Sequence, residues 1–258
     1  MNWLTFFDES TDIATPEQAQ KLAAISMDAM RNPGKARPVG ECVIGEAARQ
    51  FWDLSSQCAT LSARRRFIQE MDKFTASVVQ QAQDRAQNYI RNIDDYLLLR
   101  RDTIGAKPSF VLLEFKLNLP DEVFEDLVIQ RLVNICVDMI ILSNDMYSFN
   151  VEQARRDDHN IVTTLMHHEN LDLEEAMKWI RDYASKLVQN FMDALNYVPY
   201  FGEEIQGDVK RYLDGLGNWV RANDSWSLEC RRYFATGGME IQQSRKAVLL
   251  PWLVSYLQ

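Results

Sequence analysis

Apolar residues recur at three- and four-residue spacings along almost the whole chain, and no stretch alternates strictly between apolar and polar as a half-buried strand would. No Asn-Gly or Asp-Gly pair joins two alternating runs, so hairpin signals are missing too. The pattern predicts an all-α fold. One helix is expected over residues 3–30, stopped by Asn32-Pro33-Gly34, and a shorter one over 46–54. A long helix over 61–101 should end at the break Ile104-Gly105-Ala106-Lys107-Pro108. Helix resumes over 110–117, and Pro120-Asp121-Glu122 opens a further run to about residue 153, with proline at its start and acids in the first turn. Beyond a polar loop at Asp157-Asp158-His159-Asn160, helices are predicted at 161–169, 172–197 and 203–222; the tail from Gly237 to Gln258 is loosely patterned.

Short connections and 258 residues suit a single domain over 1–258, and 47% hydrophobic with 25% charged residues is an ordinary globular balance. The net charge of −9 and a pI near 4.9 argue against nucleic acid or anionic lipid as a partner of the whole surface, so any phosphate site must be locally built. Cys42, Cys58, Cys136 and Cys230 are widely spaced and form no CxxC pair; they are expected as reduced core thiols. The apolar start Trp3-Leu4-Thr5-Phe6-Phe7 meets Asp8 and Glu9 at once and lacks a basic flank, and no segment is expected to span a membrane, which places the chain in the cytoplasm.

Two clusters carry chemistry. Asp8-Glu9-Ser10-Thr11-Asp12 sets Asp8 and Asp12 four apart on one helical face. Such like charges repel by a few tenths of ~1 kcal/mol. A hard cation would offset this, although an acidic first turn also complements the helix dipole. The second is Asn144-Asp145-Met146-Tyr147-Ser148-Phe149-Asn150-Val151-Glu152, where Asn144, Ser148 and Glu152 form one oxygen-bearing line emerging from the apolar run Leu132–Leu142. These groups are either satisfied core polar residues or metal ligands. His159, His167 and His168 match no zinc or di-iron spacing, Arg64-Arg65-Arg66 reads as a solvated helix face, and no glycine loop cradles phosphate.

The second cluster matches N-D-x-x-S-x-x-x-E, and the chain thereby resembles the class I terpene synthases, whose upstream acidic motif is similar to Asp8-Glu9-Ser10-Thr11-Asp12. The resemblance implies a helical bundle around a central pocket and three Mg²⁺ ions held by Asp8, Asp12, Asn144, Ser148 and Glu152. It makes Arg101 the diphosphate-sensing arginine, Ile104 the linker and Gly105 the effector acting through its carbonyl. Arg232-Tyr233 corresponds to the family's Arg-Tyr pair, and Trp226 to an aromatic lining the cation pocket.

The stretch Glu152–Thr163 is similar to basidiomycete sesquiterpene cyclases, which implies farnesyl diphosphate as substrate and a 1,11-closure through a humulyl-type cation. Two positions depart from relatives: Val151 stands where bacterial members often carry lysine, and Arg156 where glycine is common. Family members carry several helices before the acidic motif, which begins here at residue 8, so the domain is read as N-terminally incomplete. The alternatives are a truncated, inactive homologue that still binds Mg²⁺ and diphosphate, and a helical scaffold that depends on neither. Prenyl chain elongation would need a second aspartate-rich motif where Asn144, Ser148 and Glu152 stand.

Overall fold

A computed structural model describes residues 2–253; residues 254–258 of the predicted loose tail lie outside the described residues. Among the described residues all regular structure is helical, as expected, and no strand occurs. In chain order the helices are α1 (Asn2–Thr11), α2 (Pro16–Arg31), α3 (Val43–Ser55), α4 (Leu61–Ala86), α5 (Ile93–Thr103), α6 (Ala106–Val111), α7 (Asp121–Glu125), α8 (Leu127–Arg155), α9 (Ile161–His168), α10 (Leu173–Leu195), α11 (Glu203–Glu229), α12 (Arg231–Phe234) and α13 (Gly238–Ser244).

Three expected helices are divided. The first breaks after Thr11, because Thr15 accepts from the Gln18 amide at 3.3 Å while the Gln18 side chain takes the Thr15 N–H at 2.9 Å. Pro16 holds the first helical position. This capping box restarts the helix and contributes about 1 kcal/mol. The run expected over 61–101 divides between α4 and α5, where Asn88 takes a left-handed φ of 50°, a conformation asparagine tolerates. Asp126 separates α7 from α8 by accepting from the amides of Val128 and Ile129 at 2.8 and 3.1 Å. The break falls at Ile104–Gly105 and is shorter than expected, because α6 already begins at Ala106 with Pro108 in its first turn, and it ends at Val111 where helix was expected over 110–117. Gly105 has φ +69°, and a phenyl carbon of Phe74 lies 3.6 Å from where its Cβ would be.

The chain gathers into two compact groups. Among the described residues the first comprises 2–89, 99–130 and 199–215. In it α2 packs against α3 and α4, and α1 against α3. Their shared core includes Trp3, Phe7, Met27, Met30, Ile44, Trp52, Phe67, Met71 and Phe74, with Trp52 stacked on Phe67 at 4.3 Å between centroids. The arginine run is not the solvated face expected. Arg66 pairs with Glu114 at 2.7 Å and with Asp121, and its guanidinium stacks 4.0 Å over Phe124. Arg65 also pairs with Asp121, and Arg64 donates to the Ala59 carbonyl.

Among the described residues the second group comprises 90–98, 131–198 and 216–253. It buries Ile135, Cys136, Val137, Ile140, Ile141, Ile161, Val162, Leu165, Ile180 and Leu228, and α9 packs on α10. Helix α11 runs seven residues past its predicted end, to Glu229. By length and hydropathy α8 would pass for a membrane span, contrary to expectation, but half of its apolar window is buried in the protein and it carries the buried Asp138 and Asp145, as a core helix can. Among the cysteines only Cys136 is a core thiol, its pKa pushed up to about 12 by burial; Cys42 and Cys58 are exposed and Cys230 is half-buried.

Candidate functional site

Helix α8 sets Asn144, Ser148 and Glu152 at i, i+4 and i+8, and hydrogen bonds decide which of their atoms can meet a ligand. The Asn144 amide nitrogen donates to the Tyr233 hydroxyl at 2.9 Å, which turns the amide oxygen the other way. The buried Ser148 hydroxyl directs its proton to the Asp145 carbonyl at 3.4 Å. Glu152 Oε2 accepts from the Asn160 amide at 2.8 Å. One Asn144 amide proton and the Ser148 hydroxyl proton are thus used inside the protein, and the row lines up an amide oxygen, a hydroxyl oxygen and a carboxylate along one face. Amide oxygen, hydroxyl and carboxylate form a donor set that fits a hard divalent cation.

Between them lies Asp145, fully buried. Its Oδ2 accepts from the Tyr96 hydroxyl and from the Ile161 amide at 3.0 Å. A buried carboxylate needs such donors, and here they tie α5 and the start of α9 to α8. Asn160 completes the tie: its amide nitrogen also donates to the Asp145 carbonyl at 2.8 Å, while its side-chain oxygen caps α9 by accepting from the Val162 amide at 2.8 Å.

The Arg-Tyr pair lies on α12. Tyr233 is buried, with Trp226 edge-on at 6.1 Å and the Arg232 guanidinium 5.9 Å from its ring centroid. Arg232 is exposed, and Trp226 is half-exposed at 48%. Tyr147 donates to Asp224; burial, and then that bond, push its phenol well above the ordinary range. Arg156, in the place where glycine is common, has φ +59°, which explains why glycine suits it; its guanidinium lies 5.2 Å from the Trp252 ring centroid. The tail is not idle. Asn150 bonds the backbone of Val248 and Leu250, Gln153 donates to the Leu250 carbonyl, and Leu253 N–H reaches the Ala154 carbonyl at 2.7 Å.

In the first group Asp8 lies on α1 and Asp12 just past its end, yet the Asp12 amide still donates to the Asp8 carbonyl at 2.9 Å, so the i, i+4 register survives. Both are half-buried. Arg85 anchors this end of α1 through the carbonyls of Thr11 and Ala14 at 3.0 and 2.8 Å. Phe7 is core, packed on Phe74. Arg101 is half-buried in the last turn of α5. The Gly105 carbonyl accepts from the Ser109 hydroxyl at 2.8 Å, and a Lys107–Asp102 ion pair brackets the break.

Of the residues singled out from sequence, the structure joins Asn144 to Tyr233, and Tyr233 to Trp226 and Arg232. Tyr96, Asp145 and Asn160 were passed over. The one visible signal was an asparagine directly before the apolar Ile161-Val162, the mark of a helix N-cap.

Residues 1–190 match the family model described as terpene synthase family 2, C-terminal metal binding. The chain is 50% identical over 256 residues to the Δ6-protoilludene synthase of Armillaria gallica, covering 99% of this chain and 74% of that protein. It is 47% identical over 253 residues to a Δ6-protoilludene synthase of Stereum hirsutum, covering 97% and 69%. Among solved structures, the SVS_A2 protein from ancestral sequence reconstruction superposes with a TM-score of 0.78 at 25% identity, over 88% of this chain and 68% of that one. A linalool/nerolidol synthase from Streptomyces clavuligerus, in complex with 2-fluorogeranyl diphosphate, gives 0.78 at 23% identity, over 87% and 78%, a likeness of fold alone.

Proposed function

The chain belongs to terpene synthase family 2, a family of metal-binding terpene cyclases, and from that premise we propose that it is a Mg²⁺-dependent sesquiterpene synthase acting as one catalytic domain on farnesyl diphosphate in the cytoplasm. The observation that carries this reading is the row on α8, where Asn144 donates to Tyr233, Ser148 donates to the Asp145 carbonyl and Glu152 is held by Asn160, so that an amide, a hydroxyl and a carboxylate share one helical face. Asn144, Ser148 and Glu152 would hold Mg²⁺ together with Asp8 and Asp12, and the family pattern calls for three ions. Bound there, Mg²⁺ supplies Lewis-acid stabilisation of the negative charge that gathers on a leaving diphosphate.

The chain's own groups do the rest. Arg101 and Arg232 give charge-assisted hydrogen bonds to the phosphate oxygens, with the Gly105 carbonyl as effector at the helix break. Tyr233 offers its hydroxyl proton to the diphosphate while its oxygen keeps the Asn144 amide in place. The carbon–oxygen bond breaks with its electron pair leaving on the diphosphate oxygen, and the remaining allyl cation is held by aromatic faces, Trp226 first among them. Exclusion of water turns this ionisation toward cyclisation rather than capture as an alcohol. The 50% identity to Δ6-protoilludene synthases supports Δ6-protoilludene as the product, by way of a 1,11-closure.

The test is to incubate the purified chain with farnesyl diphosphate, with and without Mg²⁺, and to analyse the organic extract by gas chromatography–mass spectrometry. A metal-dependent sesquiterpene hydrocarbon supports the reading. Folded protein that binds Mg²⁺ and diphosphate but yields no product would overturn it in favour of an inactive homologue.

A further inference from the structure

Resting on the reading of Glu152 as a metal ligand, we propose that Asn160 is a positioning residue of the metal centre, whose side-chain amide fixes the Glu152 carboxylate in its ligating orientation. Asn160 is fully buried, and each end of its amide is committed. The nitrogen donates at 2.8 Å to Glu152 Oε2 and at 2.8 Å to the Asp145 carbonyl, and the oxygen accepts at 2.8 Å from the Val162 amide. A flipped amide would set its oxygen against a carboxylate and a carbonyl, and its NH₂ against an N–H. Only one orientation is therefore stable. The platform behind it is equally fixed, because the neighbouring Ile161 amide is held by Asp145, which also takes the Tyr96 hydroxyl.

Glu152 needs such a partner. It lies in the last turn of α8, three residues before Arg155, where the helix frays and its dipole disfavours a negative charge. An amide donor offsets that penalty without cancelling the charge. A lysine or arginine in the same place would compete with the cation for the carboxylate, whereas the asparagine amide holds it without adding a charge of its own. Asn160 thus makes the third member of the row rigid although it belongs to another helix.

The test uses the full chain and measures Mg²⁺ binding in the presence of inorganic diphosphate by calorimetry, alongside turnover and thermal unfolding. Asn160→Ser keeps an N-cap acceptor for α9 but is too short to reach Glu152. Asn160→Asp keeps the cap and the shape but faces Glu152 with a like charge. We expect half-saturating Mg²⁺ to rise about tenfold or more in Asn160→Ser, with turnover recovering at high Mg²⁺, and further in Asn160→Asp. Wild-type Mg²⁺ binding by folded Asn160→Ser would overturn the proposal. Glu152→Gln separates the two levels: if it abolishes Mg²⁺ binding while Asn160→Ser does not, the positioning role alone fails, and if it leaves binding intact, the ligand reading fails as well. Should neither Asn160 variant fold, nuclear magnetic resonance of the wild type decides, since the Asn160 NH₂ signal must shift on adding Mg²⁺ and diphosphate and an unmoved signal overturns the proposal.

Discussion

Arg66 on α4 and Asn160 at the head of α9 each bind a carboxylate, the first that of the buried Glu114 and the second that of the half-buried Glu152, and they do so to different ends. Arg66 meets Glu114 with two nitrogens, at 2.7 and 2.8 Å, and Asp121 with a third. Charge is matched by charge, and the cluster closes on itself. Asn160 meets Glu152 with a neutral amide, and along the same helix Asn144 and Ser148 send their protons to Tyr233 and to backbone. There the carboxylate is held by a neutral donor. Both clusters satisfy the rule that buried polar groups need partners. The choice of partner decides whether the result is a structural clamp or a surface of oriented oxygen.

That contrast can be broken at either end. The largest effect is expected from Glu152→Gln: turnover of farnesyl diphosphate at saturating Mg²⁺ should fall about 10²-fold or more, with little change in the melting temperature, as a kinetic assay paired with circular dichroism will check. Arg66→Met should do the opposite. It keeps aliphatic bulk but strands the buried Glu114, at a cost of about 3 kcal/mol in urea unfolding at pH 8, while half-saturating Mg²⁺ of the folded protein stays as in the wild type.

A smaller effect follows from protons. Burial, against the opposing pull of Arg66, raises the Glu114 carboxyl to about 7. The folded state therefore holds this proton more tightly than the unfolded one, so its contribution is fully present below the ordinary value of 4.5 and is lost as pH rises through about 7. Melting temperatures from pH 5 to 8 should fall more steeply for the wild type than for Glu114→Gln. The smallest change is Arg156→Gly, which relieves a φ of +59° and gives up the contact with Trp252. The two terms nearly cancel, leaving stability within about 1 kcal/mol.

What was legible in the sequence had helical spacing. Asn144, Ser148 and Glu152 lie on one face of one helix, so a period of 3.6 residues suffices to find them, and the Gly105 break is visible because proline and glycine stand beside it. Partners from other helices were not legible. Arg66 reads as a solvated residue because nothing in its own helix points to Glu114, 48 residues away. Asn160 reads as loop because its bond to Glu152 crosses the turn between α8 and α9. The split of α1 from α2 was written in Thr15, Pro16 and Gln18, but apolar periodicity runs through both helices and masks it. The tail gave no periodic signal because its role rests on backbone hydrogen bonds to Asn150, Gln153 and Ala154.

The central claim is that the oxygen row of α8 holds the metal, and the direct measurement is anomalous diffraction from crystals of the full chain grown with Mn²⁺ and inorganic diphosphate. The account predicts a peak at about 2.2 Å from the Asn144 amide oxygen, the Ser148 hydroxyl and a Glu152 carboxylate oxygen, with Asn160 still bonded to Glu152. Strong peaks elsewhere on the chain with none beside this row would contradict it.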